Sequence, residues 1–314
     1  MRVYLAAPTD FYQPKQSREG RARLRHVLLS FVVRSWGADK FQNVLANTQP
    51  THGFCVDSGA HTWMSLYHKT HVKPPMAAVE AAIEKFSENL RTLVAGGDRP
   101  RFMVDLDVQK IYGLPTINAW RRDIWQPLEK ELETPVCYVW HPADGEARWT
   151  ELLDAPEVRY LGMGSSFSLM PISEWARLVR RAYAAGKPVH GFAKIHSRYL
   201  REIPFYSVDS VSWAGGPFFG YVSKFDAVSG KMRQLKVGDR SLQEDGNAAV
   251  LSRLAKAAGG KIPISLIRRG SGHGKDYTAF YTNAIEQYAR FEEWHTAYWI
   301  RRGIDWEGRL LATG

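Results

Sequence analysis

Short runs of β-branched and apolar residues alternate with longer amphipathic stretches over about 200 residues, and this rhythm restricts the fold more than any other feature of the sequence. The strand-like runs are Arg2–Ala6, His26–Val33, Gly53–Val56, Phe102–Val108, Val136–His141, Val158–Leu161, Val189–Ile195 and Tyr206–Val211. Between them, Ala77–Val94 places Val79, Ala82, Ile83, Phe86, Leu90 and Leu93 on one helical stripe, and Ile172–Ala185 does the same with Trp175, Leu178, Val179 and Ala182. Repeated strand-helix units with brief connections imply a parallel sheet, either open and doubly wound or closed. No G-x-G-x-x-G turn follows the first run, which argues against a dinucleotide-binding sheet. The 314 residues suit a closed one, so the predicted fold is α/β, a (β/α)8 TIM barrel.

The rhythm breaks near Gly215. There Gly-Pro-Phe-Phe-Gly and an alternating run to Val237 predict a β-hairpin insertion at about 215–245. Tyr277–Arg302 then reads as a long aromatic-rich C-terminal helix. With no Pro-, Gly- or Ser-rich linker and no internal repeat, 1–314 reads as one barrel domain carrying one insertion. The net charge of +10 favours a polyanionic partner. Basic residues gather at Lys15–Arg25 and again from Lys224 to Lys275, where Phe218, Phe219, Tyr221 and Phe225 interleave with them. Lys224, Lys231, Arg233, Arg268 and Arg269 are therefore candidate nucleic-acid contacts. The Gly-rich Arg269–Gly274 stretch lacks the spacing of a P-loop and reads as a surface loop.

Two cysteines, Cys55 and Cys137, each inside a predicted strand, can build neither a disulfide framework nor a multi-cysteine zinc site, so no metal is expected. With no long apolar run and no signal-peptide pattern at its start, the chain reads as soluble and cytoplasmic, with no membrane partner.

Chemistry-bearing side chains fall at the C-terminal ends of the predicted strands: Asp57, Asp107, His141, the Gly162–Ser166 turn, His190 and Asp209. A barrel brings such ends together on one face. The strand ending in Phe54-Cys55-Val56 is followed at once by Asp57-Ser58-Gly59-Ala60-His61. This resembles the D-S-G-[GA]-[FY] motif of the tRNA-guanine transglycosylase superfamily, and most closely its phage and bacterial branch that inserts 7-deazaguanine bases into DNA. Further segments resemble that family in the same order. They are Phe102–Val108 with Gly113 and Trp120-Arg121-Arg122, then Arg159–Gly164, then Lys187–Ala193, then Tyr206–Trp213. Together they span roughly residues 26 to 220, and the last third is unmatched.

The resemblance implies exchange of guanine for a 7-deazaguanine base such as 7-cyano-7-deazaguanine. In that reading Asp209 is the nucleophile and Asp57 the acid/base. Asp107 reads the base edge, although Asp105 lies two residues away and would share its face in a continuous strand. Ser58, Gly162, Gly164 and Gly191 would complete the pocket. His61 stands where the family usually has Phe or Tyr, and His190 where Met is common; both become candidate base contacts. Bond energies nearly cancel in such an exchange, so no cofactor is expected. The tRNA enzymes carry a C-x-C-x-x-C zinc motif that this chain lacks, which moves the expected partner to DNA, in the host cytoplasm if the chain is phage-encoded. Two other readings stand beside it: a tRNA-guanine transglycosylase, and a non-catalytic nucleic-acid-binding barrel in which Asp57 merely forms a turn.

Overall fold

The computed structural model describes residues 1–6, 24–31, 38–48, 50–164, 169–216, 221–236 and 278–313. Eight parallel strands close into a barrel in chain order: β1 (Arg2–Ala6), β2 (His26–Ser30), β3 (Phe54–Asp57), β4 (Met103–Val104), β5 (Val136–Trp140), β6 (Tyr160–Met163), β7 (Val189–Gly191) and β8 (Ser207–Ser210). Closure is made by β8 pairing with β1, which sets Tyr4 beside Asp209. The predicted (β/α)8 barrel is therefore the observed fold.

The helices that cover it are α1 (Ala38–Thr48), α2 (Ala60–Thr70), α3 (Met76–Ala95), α4 (Gln109–Tyr112), α5 (Leu114–Trp120), α6 (Gln126–Leu132), α7 (Gly145–Asp154), α8 (Ile172–Ala184) and α9 (Ser197–Leu200). Helix α3 buries Val79, Ile83, Phe86, Leu90 and Leu93, and α8 buries Trp175, Leu178, Val179 and Ala182, the stripes expected from their spacing. Each large apolar side chain so buried contributes about 1.5–3 kcal/mol. One π-helical turn, Arg121–Trp125, joins α5 to α6 and is where Arg121 turns into the interior.

Ring contacts between strands that are not neighbours identify the side chains inside the barrel. Tyr4 meets Phe102 at 5.4 Å and His190 at 6.0 Å, and Phe102 stacks on Tyr160 at 4.5 Å. Because side chains alternate along a strand, Gly162 and Gly164 share the inward parity of Tyr160, and Asp209 shares that of Ser207, which bonds Tyr160 across the barrel. Cys55 and Cys137 are buried and unbridged.

The insertion is an antiparallel hairpin, β9 (Tyr221–Asp226) and β10 (Lys231–Lys236), followed after the undescribed 237–277 by α10 (Thr278–Ile300) and α11 (Trp306–Thr313). Phe225 packs on Phe291 and Trp294 of α10 at 5.9 and 6.5 Å, which ties the hairpin to the barrel's flank. Trp213 is a core residue whose indole N–H donates to Ala6 O at 2.8 Å. Among the described residues no helix is long and apolar enough to cross a membrane.

Two strand expectations fail locally. Val189–Ile195 pairs only at Val189–Gly191, with Ala193 left-handed beyond it. The run Phe102–Val108 pairs as a strand only at Met103–Val104, the Asp105 amide makes one last bond to Cys137 O, and the chain then leaves the sheet. The face-sharing of Asp105 and Asp107 argued from strand alternation does not hold.

Candidate active site

Asp57 is the last residue of β3, and its register partner on β2 is Ser30. The Ser30 hydroxyl donates to the Asp57 carboxylate at 2.8 Å. The chain turns sharply after it through Gly59, whose φ of +81° lies in the left-handed region that a side chain disfavours. Burial raises the Asp57 carboxyl from 3.8 to about 6, and the charges of Asp107 and Asp209 push the same way, against the bonds from Ser30 and the Gly59 amide. The ends of β3, β4 and β8 that carry or lead to the three carboxylates lie on one face of the closed parallel barrel.

Asp105 and Asp107 have separate environments. Asp105 is wholly buried, accepting from Arg121 Nε at 2.6 Å and from the Val139 amide at 3.1 Å. It is a structural anchor. Asp107 is half-buried, and its carboxylate meets His141 Nε2 at 2.9 Å. The His141 imidazole rests against Gly164: a Cβ added there would lie 2.5 Å from its Cε1, so only glycine leaves room for the ring. Asp144 accepts from the His141 amide at 2.9 Å and from Gln109 Nε2 at 3.1 Å, fastening the end of β5 to α4.

Asp209 accepts the Ala193 amide at 2.6 Å and faces His190 Nε2 at 3.3 Å. Ala193 has φ +54°, a left-handed conformation that costs a non-glycine residue about 1–2 kcal/mol and here aims its N–H at the carboxylate. His190 Nδ1 meets Ser207 Oγ at 2.8 Å, and Ser207 meets Tyr160 Oη at 2.8 Å. One assignment satisfies every group: Tyr160 donates to Ser207, Ser207 to Nδ1, and Nε2–H to Asp209. Burial holds the Tyr160 hydroxyl well above its ordinary range, as a neutral donor requires. The buried Lys194, lying over the Trp175 ring at 5.4 Å, has its ammonium lowered to about 8 by burial, with the charge of Asp209 opposing.

The remaining candidates are placed differently. Ser58 is buried, donates to Asp105 O at 2.9 Å and lines a small cavity with Trp63, Phe86 and Trp125 between barrel and helices, so its hydroxyl faces away from the mouth. His190 is fully enclosed with both nitrogens engaged, and cannot stack on an open base; its place is beneath Asp209. His61 is exposed on the first turn of α2, 3.3 Å from Ser65 Oγ. Gly162 carries the edge of the Phe192 ring, which would stand 2.7 Å from an added Cβ, and Gly191 is packed by Lys194 and Phe205.

On the hairpin, Arg233 is bonded to Asp226 at 3.2 Å, Lys224 is its cross-strand neighbour, and Lys231 follows the turn whose Gly230 carbonyl meets His295, next to the Thr296 that bonds Met1 at the other end of the barrel. Arg268 and Arg269 lie outside the described residues. At the opposite end of the barrel a cavity of about 510 Å³ is lined by Arg2, Arg25, His26, Arg101, Glu292 and Glu307 among others. Arg2 is paired with Glu307 and Arg25 with Glu292, Arg101 donates to His52 O, and the cavity holds none of the strand-end carboxylates.

Sequence reasoning missed Ser30, Phe192, Ala193, Lys194 and Ser207. Ser30 and Ser207 carry a signal in retrospect, as polar residues in inward positions of strands; the left-handed turn at Ala193 carries none. No family model matches the chain, and no curated protein matches it. Among the described residues no group of three or more His, Cys, Asp or Glu could hold a metal ion. The arrangement supplies one carboxylate with two N–H donors, a second whose pKa is raised to about 6, and a third paired to an imidazole.

Proposed function

We propose that this chain is a base-exchanging guanine transglycosylase acting on DNA, replacing guanine with a 7-deazaguanine base such as 7-cyano-7-deazaguanine. The observation that carries the reading is the pair of unlike carboxylates at the mouth: Asp209, held by Ala193 and His190, and Asp57, raised to about 6. Environments that give two carboxyl groups different tasks are what glycosidic chemistry requires.

Asp209 attacks C1′ of the deoxyribose. The C1′–N9 bond breaks, its electron pair leaves with guanine, and protonated Asp57 supplies the proton to the departing base. The sugar is then an ester of Asp209. The incoming base gives its N–H proton to Asp57, its nitrogen attacks C1′, and Asp209 is released. One glycosidic bond replaces another, so no outside energy source enters. Asp107 accepts N–H groups of the base, with His141 fixing its orientation, and Phe192 offers an aromatic surface over Gly162. DNA is preferred to tRNA because the zinc-binding cysteines of the tRNA enzymes have no counterpart among the two cysteines here.

The test is mass spectrometry of nucleosides after incubation with 7-cyano-7-deazaguanine and either duplex DNA, single-stranded DNA or tRNA. A modified deoxynucleoside is expected with the wild-type protein and not with Asp209→Asn. Modification of tRNA alone would refute the DNA assignment; no modified nucleoside from folded protein would refute the exchange.

A further inference from the structure

Helix α2 begins three residues beyond Asp57, so its first turn starts at the mouth. From Ser58 to Val79 the sequence holds no Asp or Glu, and Glu80, exposed on α3, is the first acid. Within that stretch His61, His68, Lys69, His71 and Lys73 are all exposed. Several surface arginines elsewhere are matched: Arg91 to Glu131, Arg99 to Glu133, Arg177 and Arg181 to Glu146. The five basic side chains of this stretch have no carboxylate within salt-bridge distance among the described residues.

The loop that follows α2 is held in place. Lys73 lies over the Tyr112 ring at 4.5 Å, and Tyr112 Oη donates to Pro74 O at 2.5 Å. Tyr112 belongs to α4, which begins two residues beyond Asp107 and presents the exposed Lys110. The rim from His61 to Lys73 thus runs between the carriers of Asp57 and Asp107. Leu66 and Val72 are exposed among its charges, at 49% and 65%, and Tyr67 is half-buried.

We propose that this rim, and not the hairpin, is the surface that grips the phosphates of a single DNA strand flanking the nucleotide at the mouth. The choice of DNA rests on the base-exchange reading above; the surface itself rests on charge, exposure and position. Unmatched lysines neutralise phosphates and release counterions, imidazoles donate hydrogen bonds to phosphate oxygens, and apolar or aromatic side chains between them take unstacked bases. The hairpin is the weaker candidate because Arg233 is matched to Asp226 and Lys231 lies at the remote end.

The experiment measures binding of a fluorescent single-stranded DNA oligonucleotide by anisotropy from about 50 to 200 mM salt, with the full chain. The variant Lys69→Glu/Lys73→Glu is compared with Lys85→Glu/Lys130→Glu, which makes the same charge change at exposed sites on α3 and α6. The rim variant is expected to bind about tenfold more weakly or worse and to lose about 1.4 from the slope of log K against log salt, about 0.7 for each phosphate contact. The control should hardly move. Equal weakening in both variants, an unchanged rim variant, or a rim variant that loses tRNA binding while keeping DNA binding overturns the proposal. Asp209→Asn separates this from the exchange reading. If that variant and wild type both bind DNA through the rim but wild type exchanges no base, the surface stands and the chemistry falls.

Discussion

Replacing Asp57 by Asn should stabilise the protein at neutral pH while removing its chemistry. The Asp57 carboxyl is raised from 3.8 to about 6, chiefly by burial and then by two neighbouring carboxylates. A carboxyl whose pKa is higher folded than unfolded binds its proton more tightly in the native state. The native state is then penalised wherever that proton is gone. The penalty is absent below about pH 3.8, grows between there and pH 6, and is complete above. At about 1.4 kcal/mol per pH unit it reaches about 3 kcal/mol, a ceiling because the side chain keeps some contact with solvent. Asparagine keeps an oxygen to accept from Ser30 and carries no charge to repel Asp107 or Asp209. Urea unfolding of both proteins at pH 7.5, 6 and 4.5 should show Asp57→Asn ahead by about 1–3 kcal/mol at pH 7.5, with the gain shrinking towards pH 4.5. A variant that is less stable at pH 7.5, or whose gain ignores pH, would show that Asp57 is not a strained carboxylate.

Further outcomes follow from the same contacts. Gly164→Ala drives a methyl into the His141 ring and should cost about 1–3 kcal/mol in urea unfolding, as overpacking does; a cost near zero contradicts the placement of His141. Arg121→Met leaves Asp105 buried without its cation and should cost about 3–5 kcal/mol, much of it recovered when Asp105→Asn is added; no recovery contradicts the pairing. Ser207→Ala removes the donor to His190 Nδ1 and should cost about 1–3 kcal/mol, with ¹⁵N NMR of the imidazole reporting a changed tautomer balance; an unchanged spectrum contradicts the donor assignment from Tyr160 through Ser207 and His190 to Asp209.

Much of the fold was legible because its signals are local. The strand runs and the stripes of α3 and α8 follow from periodicity, and the hairpin from the alternation after Gly-Pro-Phe-Phe-Gly in the sequence. Strand ends were less legible: Phe102–Val108 alternates apolar and acidic residues like one continuous strand, yet the ladder covers only Met103–Val104, and the Asp105 side chain is engaged by Arg121 from a helical turn sixteen residues on. The site was legible as far as polar residues sit at strand ends. The orientation of Ser58 away from the mouth, and the engagement of His190 beneath Asp209, depend on side-chain partners brought together only by closure of the barrel. Charge counting pointed to the hairpin, since Lys and Arg are dense there, and overlooked the α2 rim, whose basic character comes from the absence of acids as much as from its two lysines.

The most direct test of the account is the mass of the protein after reaction with DNA is quenched by acid, followed by nuclease digestion and peptide mapping. A deoxyribose-phosphate adduct on the peptide that contains Asp209, absent from Asp209→Asn and discharged by added 7-cyano-7-deazaguanine, is the predicted result. An adduct on another residue, or the same adduct surviving in Asp209→Asn, would contradict it.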